Sequence, residues 1–139
     1  MADIVRHVNY YYTEVANQAA VGAKVLNVLK AGGANLIVYN GFPISSRRAQ
    51  LVFVPVDQET LCAAAKKAGI KLVGPNTAFL IQGEDRLGAI ADALSKLGRF
   101  GINVTAIQAI AAGEGSYGAI IWVKRHNIDK AGKALGVSQ

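Results

Sequence analysis

Asp85 and Gly88 stand three residues apart in the stretch "GEDRLGAI" (83–90), where an apolar run, "TAFLI", gives way to a helical pattern, "AIADALSKL". That placement has a definite chemistry. The first turn of a helix offers unpaired backbone N–H groups and the positive end of the helix dipole, which suit a carboxylate. A glycine there removes a Cβ and lets a ligand approach the backbone. An aspartate just before it can take an ammonium through a charge-assisted hydrogen bond. Asn103, after the helix, carries both a donor and an acceptor. The same residues also have a purely structural use. Asp85 could cap the helix, which is worth about 1 kcal/mol, while Gly88 packs closely on the sheet and Asn103 shapes a turn.

Other chemistries find less support. His7 and His126 are far apart, and no helical His pair or Cys-x-x-Cys is present to ligate a metal. No nucleophile-elbow pattern occurs. "GEGSYG" joins two predicted strands and opens no helix, so it is not a phosphate-binding loop. His126 beside Asn127 reads as a helix-start residue. Cys62 is the single cysteine, which excludes an internal disulfide, and in "ETLCAAAKKAG" it reads as a small buried thiol. No catalytic residue, metal site or cofactor is expected.

The elements that position Asp85 and Asn103 recur. "VGAKVLNVLKAGGANLIVY" (21–39) and "LGAIADALSKLGRFGINVTAI" (87–107) share one plan: Gly-Ala, a helix, a glycine break, then Asn and a strand. Fixed-period self-similarity bears directly on the fold. Gly22 pairs with Gly88 and Asn35 with Asn103 if the second copy carries two extra residues before its strand. Leu87, Ile90, Ala91, Leu94 and Leu97 form one apolar helical face, as do Val21, Val25, Val28 and Leu29. Strands are expected around 35–40 and 102–110. "AQLVFVPV" and "YGAIIWV" read as returning strands, joined to them by "NGFPISSRR" and "AGEGS". Second helices follow, with Asp57 and Asn127 as N-caps and Gly69 and Gly136 as stops.

Each copy therefore reads strand, helix, strand, strand, helix, one strand short of a ferredoxin-like unit. "IKLV" (70–73) supplies the missing strand to the first copy. After the second copy only "GVSQ" remains, a poor strand, so Ile4–Val5 is expected to complete that module from the N-terminal end and to cover an open edge. The fold class is α+β: two ferredoxin-like βαββαβ modules with antiparallel sheets and helices on one face. Residues 1–74 form the first module and 75–139 the second, completed by a strand from residues 3–8.

Both copies resemble ACT domains, small regulatory modules that commonly bind amino acids. The family pattern is a strand ending in Asp-x-Pro-Gly, a helix, then Gly-Ile-Asn opening the next strand. The second copy reads Asp85-Arg86-Leu87-Gly88 and Gly101-Ile102-Asn103-Val104; the first reads Ala19-Ala20-Val21-Gly22 and Gly33-Ala34-Asn35-Leu36. Neither has the proline, and the first has Ala19 where the second has Asp85. The resemblance implies an amino-acid site at Asp85, Arg86, Leu87, Gly88, Asn103 and Val104. It implies a weaker one at Val21, Gly22, Asn35 and Leu36, with Asn17 and Gln18 beside the missing acid. It further implies a regulatory or sensor protein without attached enzyme, a homodimer with ligand held near module interfaces, and a separate enzyme as regulated partner.

Composition agrees with a globular protein. The chain has 139 residues, 52% hydrophobic and 17% charged with three prolines, enough to build a core and too apolar for disorder. No apolar run approaches the ~20 residues of a membrane span, and "MADIVRHV" lacks a signal-peptide core, so a cytoplasmic location is expected. The charge of +6 is scattered rather than blocked. Lys66, Lys67 and Lys133 fall near helix ends, where cations offset the dipole. RNA-recognition modules share the βαββαβ order, and "NYYYTEV" and "RRAQLVFVPV" carry aromatics and arginines. Their glycine-aromatic pattern is absent, however, and Phe79 and Trp122 read as buried. RNA binding therefore ranks below small-molecule binding. A pure assembly module is the third reading; Tyr10, Tyr11 and Tyr12 alternate across a strand and suit either an interface or a core.

Overall fold

The computed structural model describes residues 3–137. Among these residues, six strands and four helices occur in the order β1 (Ile4–Ala16), α1 (Val21–Ala31), β2 (Leu36–Pro43), β3 (Arg48–Pro55), α2 (Gln58–Lys67), β4 (Val73–Glu84), α3 (Ala89–Arg99), β5 (Val104–Gly113), β6 (Ser116–Val123) and α4 (Ile128–Leu135). A short 3-10 turn, Arg125–Asn127, leads into α4. The chain divides into two compact units. One holds Asn9–Asn76; the other holds the residues through Val8 together with Thr77 onward.

In the unit Asn9–Asn76, β3 is antiparallel to β1, from Tyr11↔Phe53 to Ala16↔Arg48, and to β2, from Leu36↔Pro55 to Pro43↔Ala49. Tyr11, Leu51 and Phe53 point to the face where α1 and α2 bury Leu29, Leu61, Ala64 and Ala65. The helices approach closely: a methyl built on Gly32 would collide with Ala64. Of the three tyrosines, Tyr11 enters this core, and its neighbours Tyr10 and Tyr12 alternate away from it.

In the other unit β6 plays the part of β3. It is antiparallel to β4, from Phe79↔Ile121 to Glu84↔Ser116, and to β5, from Val104↔Val123 to Gly113↔Ser116. The first residues of β1 belong to this unit, with Val5 in a core built from Phe79, Ile81, Ala93, Leu97, Ile121 and Leu135. His7 lays its ring against Phe79, with centroids 5.0 Å apart. β5 is the outer strand, and nine of its ten residues are exposed.

The internal repeat is more regular than the sequence suggests. Ala20 and Gly88 both precede a helix with left-handed backbone, φ 73° and 78°. The Ala34 amide bonds Leu29 O and the Ile102 amide bonds Leu97 O, each at 3.0 Å, behind left-handed Gly33 and Gly101. The Asn17 amide bonds Arg47 O and the Asp85 amide bonds Gly115 O, each at 2.8 Å. Every one of these pairs is 68 positions apart, as in 20 to 88, 29 to 97 and 17 to 85. No two-residue insertion exists. Gly88 corresponds to Ala20 rather than Gly22, and Asp85 corresponds to Asn17 rather than Ala19. "Gly-Ala" occurs at slightly different places in the two helix starts, and the coincidence misaligned them.

Two helix faces also differ from expectation. In α3 the buried residues are Ala89, Ala93 and Leu97, one residue every four. Leu87 precedes the helix and stands fully in solvent, and Leu94 is 37% exposed. In α1, Leu29 is buried while Val28 is exposed. Ala89 and Ala93 face the sheet together with Leu97, and Ile90 packs at the edge of that core, whereas Leu94 is turned outward. Cys62 is exposed as well, since α2 buries Leu61, Ala64 and Ala65 instead. Asp57 and Asn127 do sit at the helix starts, although neither makes a side-chain cap bond. Gly69 and Gly136 end α2 and α4 in left-handed conformation.

Candidate functional site at the start of α3

The segment between β4 and α3 is fastened at its first residue, where the Asp85 amide donates to Gly115 O on the β5–β6 connection. The helix begins four residues later. Gly88 occupies the N-cap position, and no side chain caps the first turn. Asp85 is therefore not the cap expected from its position. Its carboxylate is exposed and has no hydrogen-bond or ion-pair partner among the described residues. Ile90 and Ala91 are the second and third residues of α3, so their N–H groups have no intrahelical acceptor. A groove of about 280 Å³ runs along this helix start, lined by Asp85, Gly88, Ile90, Ala109, Ile110 and Tyr117 among others.

Arg86 is tied down. Its guanidinium forks onto Asp3, with Nη1 3.0 Å from Oδ1 and Nη2 3.3 Å from Oδ2, and Nη1 also donates to Glu84 O. The Tyr117 hydroxyl donates to Asp3 Oδ2 at 2.7 Å. Burial alone would raise the Asp3 carboxyl, but the Arg86 and Tyr117 hydrogen bonds and the charges of Arg86 and Lys96 outweigh it and hold it below its ordinary value. Burial and the Asp3 hydrogen bond push Tyr117 up to about 12. Asp3 also lies tight against β4, where any side chain on Gly83 would strike its carboxylate. Asp3 and Tyr117 thus set the orientation of Arg86. Sequence reasoning missed both, because 83 positions separate Asp3 from Arg86; a strand at residues 3–8 was the one available signal. Arg86 also lines a second groove, of about 500 Å³, with Asp3, Lys96 and Arg99.

Asn103 does not share this place. Glu84 is opposite Ser116, whereas Val104 is opposite Val123 at the other end of β6. Seven residue steps along β6 separate the two positions, about 23 Å at ~3.3 Å per step. Within one unit, Asp85, Arg86 and Gly88 come together, with exposed Leu87 beside them, and Asn103 and Val104 stand at the far end. The first copy repeats the separation. Asn17, Val21 and Gly22 are at one end, Asn35 and Leu36 at the other. Asn35 Oδ1 accepts from the Leu36 amide at 3.0 Å, the local turn use of an asparagine. The Asn17 amide group donates to Ser45 O and Ser46 O, both at 3.4 Å, bracing the β2–β3 loop. Phe79 and Trp122 are buried, so neither can stack on a base.

No protein-family model matches the sequence, and no curated protein matches it. Solved structures do. Protein BT0572 from Bacteroides thetaiotaomicron superposes with a TM-score of 0.80 over 96% of this chain and 88% of its own, at 18% identity. The ligand-free regulatory subunit of aspartate kinase from Thermus thermophilus gives 0.65 over 98% and 95%, at 19% identity. That from Thermus flavus gives 0.63 over 97% and 94%, at 18% identity. At such identities the likeness concerns fold: this chain has the α+β, ACT-like fold of those regulatory subunits. Among the described residues, no helix is long and apolar enough to cross a membrane.

Proposed function

We propose that the chain is a pair of ACT-like modules that binds a free amino acid at the start of α3 and acts, without catalysis of its own, as a cytoplasmic sensor or regulatory subunit of a separate enzyme. The observation that carries this reading is the pairing of an uncapped helix start with an unpartnered Asp85 carboxylate in one groove. The α3 amides would receive the ligand carboxylate and Asp85 its ammonium. The fold shared with regulatory subunits of aspartate kinase supports the regulatory role.

Asn103 enters through a homodimer. β5 is an outer strand with Ile110 71% exposed, an edge of the sort that natural proteins cover. Antiparallel pairing of β5 with β5 of a second copy would bring that copy's Asn103 to the Ile110–Gly113 end, beside the groove. The exposed Leu87, Leu94 and Ile110 also favour a second reading, an assembly module without ligand. Amide NMR titration with the twenty amino acids separates the two. Ligand binding predicts shifts at residues 86–91 and 109–111 for one or a few amino acids. No amino acid shifting any amide would leave assembly as the function.

A further inference from the structure

The 68-residue correspondence allows the groove at the start of α3 to be compared, atom by atom, with its counterpart at the start of α1. Ile90 and Ala109, which line the open groove, correspond to Gly22 and Gly41. Two missing side chains should leave more room in the first copy. They do not, because another side chain fills the space. A methyl carbon built on Gly22 would lie 3.1 Å from the Tyr39 hydroxyl, and one built on Gly41 would lie 3.3 Å from that hydroxyl and 3.2 Å from Leu51 Cδ2. Tyr39 pairs with Phe53 across the strands, with ring centroids 5.8 Å apart, so it points to the helix-covered face. Partial desolvation pushes its hydroxyl above the ordinary value, while the side chain as a whole stays 38% exposed, so the phenol lies along an open cleft rather than inside the core. Its counterpart in the other unit is Ile107, an aliphatic side chain without a phenol to extend across the groove.

We propose that Tyr39 is an internal plug: the phenol occupies, between Gly22 and Gly41, the position that a bound molecule would take at the start of α3, so that each chain carries one open site and one filled by its own side chain. Asn17 completes the difference. Where the open copy has a free carboxylate at Asp85, the filled copy has an amide spent on the carbonyls of Ser45 and Ser46. Neither glycine has a positive φ; the plug accounts for glycine at position 22, and the plug together with Leu51 accounts for it at position 41.

The probe for the plug is p-cresol, the tyrosine side chain as a free molecule, and this arm stands whether or not an amino acid binds at α3. Tyr39→Ala should open a cleft that p-cresol refills, raising the melting temperature by about 4 °C at millimolar excess. Wild type and Ile107→Ala, the same truncation in the other unit, should gain far less. Equal gains in Tyr39→Ala and Ile107→Ala would overturn the proposal. Should Tyr39→Ala not fold, Tyr39→Ile copies the other unit and serves in its place. In wild type, a nuclear Overhauser effect between the Tyr39 ring and the Gly22 α-protons is expected, and its absence would equally overturn it. The second arm rests on the ligand reading. Equilibrium dialysis with the twenty amino acids should give one bound per wild-type chain; two per wild-type chain would contradict the plug, whereas none would contradict the ligand reading and leave the p-cresol result to decide the plug.

Discussion

Arg86 shows how little room a functional side chain has once its neighbours are known. Its fork onto Asp3, shared with the Tyr117 hydroxyl, and its ion pair with Asp92 at 3.6 Å fix the guanidinium beside both grooves that it lines. The titration signs follow. The folded Asp3 carboxyl is held below its ordinary value of 3.8, so its stabilisation is present above that pH and is lost as pH falls through the folded value. Asp3→Asn should therefore lower stability at pH 7 and flatten the loss of stability below about pH 4, checked by urea unfolding across that range. Tyr117 has the opposite sense. Raised from 10.0 to about 12, it stabilises the fold below pH 10 and ceases to as pH climbs towards 12. Tyr117→Phe should remove one late tyrosinate from the alkaline absorbance titration and soften the alkaline loss of stability.

Helices and strands were largely legible from period and glycine punctuation. Gly69, Gly101 and Gly136 stop or follow helices in left-handed conformation as their sequence positions suggest. What escaped was orientation. Of the stripe expected to be buried on α3, Leu97 is buried and Ile90 packs on the core, but Leu87 and Leu94 are exposed and Ala89 and Ala93 face the sheet instead. Leu97→Ala should cost about 2–5 kcal/mol by cavity formation, and Leu94→Ala under ~1 kcal/mol; equal costs in chemical denaturation would mean the face is misassigned. The distance between Asp85 and Asn103 escaped as well. Both flank α3 in sequence, but they flank it at opposite ends, and register, which no single-chain motif encodes, decides which residues meet. The plug at Tyr39 depends on the same register, through its pairing with Phe53.

At the scale of the molecule, the two copies differ more in the side chains at their helix starts than in backbone. Backbone hydrogen bonds recur at the same 68-residue interval, while the chemistry at the two helix starts differs: a free carboxylate and an open groove in one, a committed amide and a phenol in the other. The outer strand β5, with Ile110 exposed, is where a second copy is expected. Ile110→Lys should convert a dimer to a monomer in sedimentation without lowering the melting temperature of the monomer; an unchanged dimer would move the interface elsewhere. Whether Asp85 and the start of α3 hold an amino acid is decided by calorimetry with wild type and Asp85→Ala. At least one of the twenty amino acids should bind wild type and lose tenfold or more in affinity with Asp85→Ala, while Asp57→Ala, at the start of α2, binds as wild type. Equal affinity in wild type and Asp85→Ala would contradict that placement of the ligand.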